Sequence, residues 1–241
     1  MDGPSHWGVA GSPISHSITP KLFQIMARIT GVQEAEQLFL EASDMDHFIY
    51  EVSKMDGDLW VSCTSPLKHL VTSSLGLSGP EGVSAVNQLR RSAGKWYGAN
   101  TDGMGFLIAC RNIGIEPSIS TLMIRGGGST ARSIAAAWSS EGGSIIPVPG
   151  RRELVSGPWD SSILDLGEAD ISVDLDAKPA GEESFDLESR QQVSITYGSN
   201  HHSDEFAIMM LVAQHIEAWR VLFAPEISSE LPSLDDVLAL I

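Results

Sequence analysis

The chain has 241 residues, 42% of them hydrophobic and 19% charged, with a formal net charge of −16 at pH 7. That much apolar material suffices for a real core, in one large domain or two small ones. The acidic excess argues against nucleic acid or an anionic membrane as partner, because phosphate-rich surfaces are bound by basic faces. His6 to Ala10 predicts a short first strand ending at the Gly11-Ser12-Pro13 turn. Leu22, Phe23, Ile25, Met26 and Ile29 then recur at helical spacing over Pro20 to Thr30, with Pro20 suited to a first turn. A second strand is expected at Gln37–Glu41, and a second helix from Met45 to Met55 with Ser43 as its cap. Leu59–Cys63 reads as a third strand leading into Pro66 and Lys68, so that the lysine follows a proline-stiffened turn. Gly82–Arg90 and Lys95–Gly98 suggest a hairpin-like pair near Asn87.

Thr101–Asn112 predicts a helix linking two domains. Ser120–Arg125 is then a strand, followed by the run Gly126-Gly127-Gly128-Ser129-Thr130-Ala131 and a helix through Ser139. Strand, glycine turn and helix in that order promote a glycine run to a dinucleotide-binding candidate, and positions 126, 128 and 131 fit G-x-G-x-x-A. Backbone N–H groups and the helix dipole would face a pyrophosphate there. The next strand, from Ser144, contains Pro147 and Pro149, which is unusual for a central position. It ends at Gly150-Arg151-Arg152, where paired arginines favour NADP, with its 2′-phosphate, over NAD. Strands are expected at Ala169–Asp176 and Gln192–Tyr197, a long apolar helix at Phe206–Leu222, and a short closing helix within Pro232–Ile241, after Ser229 and docked on the first domain.

Two cysteines, Cys63 and Cys110, make neither a disulfide framework nor a zinc pattern, and Cys63 reads as a packed thiol. Asn200-His201-His202 reads as a solvated turn, so no metal site is expected. No leader-like N-terminus and no stretch of membrane-spanning length is read, which makes a cytoplasmic location the expectation.

Four fragments carry chemistry-bearing residues at the edges of short apolar or glycine-bearing segments: Gly11-Ser12-Pro13-Ile14-Ser15-His16-Ser17-Ile18-Thr19-Pro20, Ser62-Cys63-Thr64-Ser65-Pro66-Leu67-Lys68, Ala85-Val86-Asn87 and Gly98-Ala99-Asn100-Thr101-Asp102-Gly103. Loops after strand ends are where α/β proteins present chemistry. In order and spacing these fragments resemble motifs of the shikimate dehydrogenase family, and Met210-Leu211-Val212-Ala213-Gln214 resembles a fifth. The resemblance covers the first hundred or so residues well, the middle patchily and the last helices moderately. It implies an α/β chain with an N-terminal substrate domain, residues 1–102 joined by 207–241. A shortened Rossmann-type nucleotide-binding domain would occupy residues 103–206, and the C-terminal helices would return to the first domain.

The resemblance further implies reversible reduction of 3-dehydroshikimate to shikimate with NADP as cofactor and no macromolecular partner, in a monomer or homodimer. Lys68 would exchange the proton and Asp102 would keep it oriented. Ser17 and Thr19 would bind the substrate carboxylate. Ser62, Thr64, Asn87, Tyr197 and Gln214 would bind the rest of the acid. Gly126, Gly127, Gly128, Ser129, Thr130, Arg151 and Arg152 would hold the cofactor. Several departures leave alternatives open. Ser62 stands where the family usually has asparagine, and Phe23-Gln24 where His-Asn is frequent. The first allows weaker binding, a shifted substrate such as quinate, or a water filling the gap. Asp174 and Asp176 stand where an Asn-Ala-Thr run is expected, and carboxylates there would repel a phosphate. The other readings are therefore a dehydrogenase of different substrate or cofactor preference, and a catalytically weak binding homologue.

Overall fold

The computed structural model describes residues 3–176, 187–197 and 205–241; Asn200, His201 and His202 lie outside the described residues. The chain divides into two compact units. The first comprises Met1–Pro80, Ser84–Thr101 and His215–Ile241; the second comprises Glu81–Val83 and Asp102–Gln214.

The first unit is built on a five-stranded sheet. β1 (His6–Gly11) pairs in parallel with β2 (Glu36–Glu41) on one side and β3 (Leu59–Cys63) on the other. β4 (Gln88–Ser92) runs antiparallel to β3 and turns into β5 (Lys95–Ala99), giving the order β2-β1-β3-β4-β5. β3 is buried at all five positions, which is why it reads as an apolar run broken only by Ser62 rather than as an alternation. Helices α1 (Thr19–Thr30), α2 (Met45–Ser53) and α3 (Leu67–Leu75) follow β1, β2 and β3. α3 was not expected: Lys68 stands in the first turn of a helix rather than on a loop. The cap of α2 is Asp44 and not Ser43. Its backbone is extended, and its carboxylate accepts from His47 N at 2.8 Å, as an N-cap side chain must.

An aromatic cluster anchors one face of this sheet. Trp7, Phe23, Trp60, Trp219 and Phe223 are all nearly or fully buried. Trp60 stacks on Phe223 at 5.3 Å and meets Trp219 edge-on at 5.2 Å, while Trp7 stacks on Phe23 at 5.6 Å. Such pairs add about 0.5–1.5 kcal/mol each beyond the area they bury. The closing helix, α7 (Leu234–Leu238), is capped by Ser233 in a reciprocal box with Asp236; Ser229 lies upstream in a 3₁₀ stretch, Pro225–Glu230.

The second unit carries a four-stranded parallel sheet of order β7-β6-β8-β9: β6 (Thr121–Arg125), β7 (Ser144–Val148), β8 (Ala169–Asp174) and β9 (Ser189–Val193). Pro147 thus sits on a marginal strand, where a missing N–H is tolerated. β9 begins three residues before the expected strand, and Ser194–Tyr197 are irregular, because pairing of Ala169 with Ser189 sets the register. α4 (Asp102–Asn112) opens the unit, and α5 (Ser129–Ser140) joins β6 to β7. The connection from β7 to β8 holds only one 3₁₀ turn, Asp160–Ser162.

α6 (Glu205–Ala218) is apolar all round and continues as a π-helical turn, Trp219–Phe223. By length and composition alone this 19-residue helix passes for a membrane crossing, with a mean hydropathy of 1.3. Its most apolar window is 78% buried inside the protein, as for a core helix.

Candidate active site

Register brings the motifs of the first unit to one end of its sheet. Strands β1 and β3 are parallel, so the turns that follow them emerge at the same end, and Ser62 opposite Gln88 places the start of β4 there too. Backbone bonds lock these turns together. Ser12 N donates to Ser65 O at 2.8 Å, Thr64 N to Ala10 O at 2.9 Å, Cys63 N to Asn87 O at 2.7 Å and Val86 N to Lys68 O at 2.9 Å. Ser17, Thr19, Ser62, Thr64, Lys68 and Asn87 are therefore gathered from turns that are distant in sequence. The Cys63 thiol is pushed up to about 12 by burial, the Lys68 ammonium acting weakly in the opposite sense. It is inert packing, not a nucleophile.

A buried polar network underlies this end. Asn87, 2% exposed, accepts Thr101 N on its Oδ1 at 2.8 Å, and Gln88 Nε2 donates to Thr101 Oγ1 at 3.4 Å. Ser62 Oγ donates to Gln88 Oε1 at 2.7 Å. Sequence reasoning missed one member, His215. Its Nε2 lies 3.3 Å from Thr19 Oγ1 and 3.5 Å from Ser62 Oγ. The ring meets Phe23 edge-on, with centroids 5.4 Å apart. Beside the shortened Ser62, then, the structure places an imidazole. Burial alone holds its pKa near 3, so it is neutral at any ordinary pH.

In the second unit, Asp102 begins α4, 1% exposed, and accepts from Thr130 Oγ1 at 3.1 Å; Gly103 N donates to Ser133 Oγ at 2.9 Å. Thr130 therefore directs its hydroxyl to Asp102. α4 and α6 approach so closely that a Cβ on Gly105 would stand 2.8 Å from Gln214 Cβ and from Met210 O. Gln214 and Tyr197 are each half-buried, Tyr197 on the irregular segment after β9.

The residues of the glycine turn fit a dinucleotide. Gly126 has φ +105, closed to ordinary side chains, and a Cβ on Gly128 would meet nothing within 4 Å. That leaves room for the backbone to approach a phosphate. The space over Gly127 is taken by Glu153 O. Arg132, in the first turn of α5, keeps a buried Nε without a hydrogen-bond partner; burial, and then the Arg152 charge, push its guanidinium below the ordinary value. The carboxylates expected to repel a phosphate are already engaged. Asp174 pairs with Arg125 at 2.8 Å, and Asp176 accepts the backbone N–H of Arg151 while lying against Gly126 and Gly150.

Among the described residues no group of three or more His, Cys, Asp or Glu is placed to hold a metal ion. A cavity of about 490 Å³ lies at the opposite end of β3 and β4, beside Arg91. The Arg91 guanidinium donates to the carbonyls of Val52, Met55 and Gly57, a structural clasp rather than a reactive site.

Taken by themselves, the five-stranded mixed sheet and the parallel sheet with a glycine turn heading a helix define an α/β protein whose second unit is Rossmann-like. No family model matches the chain. It is 31% identical over 150 residues to shikimate dehydrogenase (NADP(+)) of Xylella fastidiosa, covering 57% of this chain and 50% of that one. It is 30% identical over 177 residues to the protein of the same name from Methylococcus capsulatus, covering 69% and 61%. The matches thus span about half to three fifths of the curated relatives' length. In three dimensions it superposes on shikimate dehydrogenase of Aquifex aeolicus with a TM-score of 0.73 at 21% identity, over 98% of this chain and 96% of that one. The Thermus thermophilus enzyme, solved with NADP(H) and shikimate, gives 0.70 at 21% identity, over 96% of each chain. The chain is thus similar in sequence to proteins named shikimate dehydrogenase and shares the fold of solved ones.

Proposed function

We propose that this chain is an NADP-dependent shikimate dehydrogenase, reversibly reducing 3-dehydroshikimate to shikimate on the route to chorismate. One observation carries the reading: strand register gathers Ser17, Thr19, Thr64, Lys68 and Asn87 at a single end of one sheet, over a buried polar network. Hydroxyl donors at Ser17 and Thr19 suit a carboxylate. Thr64, Asn87, Tyr197 and Gln214 suit a polyhydroxylated ring, and sites built on such bonds reject analogues that lack the hydroxyls. Gly126, Gly127, Gly128, Ser129, Thr130, Arg151 and Arg152 hold the dinucleotide, which supplies the hydride when bound. Lys68 gives the accompanying proton to the carbonyl oxygen and takes it back in the oxidative direction, and Asp102 is the second group assigned to that exchange. The assay is absorbance at the NADPH band, with shikimate and quinate each paired with NADP and NAD. No turnover in any pairing removes the proposal, and a quinate or NAD preference revises its substrate or cofactor.

Two observations favour a second reading, a homologue that binds the acid without turning it over. The Asp176 carboxylate lies against Gly126 and Gly150, and the crossover after β7 has shrunk to a single 3₁₀ turn. Calorimetric titration with NADPH separates the two: saturation supports the enzyme, and its absence supports the binder.

A further inference from the structure

We propose that His215 is a positioning residue of the acid-binding end: it holds Thr19 with its proton directed to a substrate carboxylate, beside a Ser62 whose own proton is already given to Gln88. This deepens the dehydrogenase reading and rests on it for the identity of the acid.

The argument is a count of protons and lone pairs. Ser62 has one hydroxyl proton, donated to Gln88 Oε1 at 2.7 Å. It can only accept from His215, whose Nε2 stands 3.5 Å away. That requires the proton on Nε2. The other tautomer would put an N–H on Nδ1, which is buried without a partner, and would face the Ser62 lone pairs with a nitrogen lone pair. Nδ1 lacks a partner in either tautomer, so the contact at Nε2 decides, and there the Nε2–H form wins because it alone can donate to Ser62 Oγ. In that form Nε2–H is shared between Ser62 Oγ and Thr19 Oγ1, the latter at 3.3 Å. Thr19 becomes an acceptor toward the ring, and its own O–H proton must turn elsewhere. Thr19 and Ser17 are already coupled, since Thr19 N donates to Ser17 Oγ at 3.3 Å. The two hydroxyls thus form a fixed pair suited to an anionic oxygen. Ser62, with its proton committed to Gln88, has none to donate to a ring hydroxyl and can meet a ligand only as an acceptor. The ring is also clamped by Phe23, so the geometry does not depend on a ligand to order it.

Two measurements test this. Long-range nitrogen–proton NMR of the free chain, with the His215 signals assigned by their loss in His215→Phe, should show a neutral Nε2–H ring that shifts on adding shikimate alone. In steady state, His215→Phe should raise the KM for shikimate about tenfold, the loss expected for one misdirected hydrogen bond to a charge. Its kcat and NADPH KM should stay within about twofold. His215→Gln, whose amide can again donate toward Thr19, should recover most of the affinity. A neutral Nδ1–H ring, no response to shikimate, or a parallel fall in kcat with no rescue by glutamine overturns the proposal. Because the tautomer and the shikimate titration need no turnover, an inactive wild type would sink the dehydrogenase reading while leaving these two readouts decisive.

Discussion

Acidification offers a direct measure of the buried imidazole. In the unfolded chain His215 titrates at the ordinary value of 6.5; in the folded chain burial moves it to about 3. The folded pKa is depressed, so its contribution to stability is full above pH 6.5 and is lost as pH falls from there toward 3. At pH 5 the unfolded imidazole is protonated 1.5 units below its pKa while the folded one is still neutral. At about 1.4 kcal/mol per unit, this lowers the unfolding free energy by about 2 kcal/mol relative to pH 7. Other groups titrate in the same window, so the quantity to measure is a difference of differences. Urea unfolding of the wild type and His215→Phe at both pH values should show a fall about 2 kcal/mol smaller in the variant. Phenylalanine suits the test because a ring retains contact with Phe23. Equal falls in the two proteins would mean that the imidazole is solvated or paired in the folded chain, and the reasoning fails.

Lys68→Ala should lower kcat by roughly a hundredfold to ten-thousandfold, the usual worth of a general acid, while calorimetry with shikimate shows binding retained; unchanged turnover would remove lysine from the mechanism. Arg151→Ala combined with Arg152→Ala should shrink the preference for NADPH over NADH by about tenfold or more, read from kcat/KM with each cofactor. Asn87→Ala takes the acceptor from Thr101 N inside the network, and should cost about 1–3 kcal/mol in chemical denaturation; a smaller loss would show that water replaces the amide.

Much of the first unit was legible because its strands are short apolar runs bounded by turn residues. Leu59–Cys63 was read with its true ends. α3 was hidden by Pro66, read as part of a turn, although proline is at home at a helix start. Ser43 and Asp44 are both favoured caps, and only the extended backbone at Asp44 decides between them. β9, with the polar sequence Ser189-Arg190-Gln191-Gln192-Val193, has little strand character of its own and exists because β8 pairs with it. His215 carried no signal at all. It stands in an apolar helix, and its hydroxyl partners are 153 and 196 residues away. Periodicity cannot report a contact of that range, whereas the motif residues were legible because each carries its own turn chemistry.

Pro147, paired with Ile124 on the marginal strand β7, has an implication for the life of the protein in a crowded cell. A bare strand margin is a template on which a second chain can grow. Here the ladder is interrupted by a residue with no amide proton, and an isolated bridge from Ile145 to Ile163 lays the chain's own backbone along part of the same margin. The parallel sheet is thereby guarded against lateral growth into aggregates, at a position where a bulkier crossover helix is not present to do so.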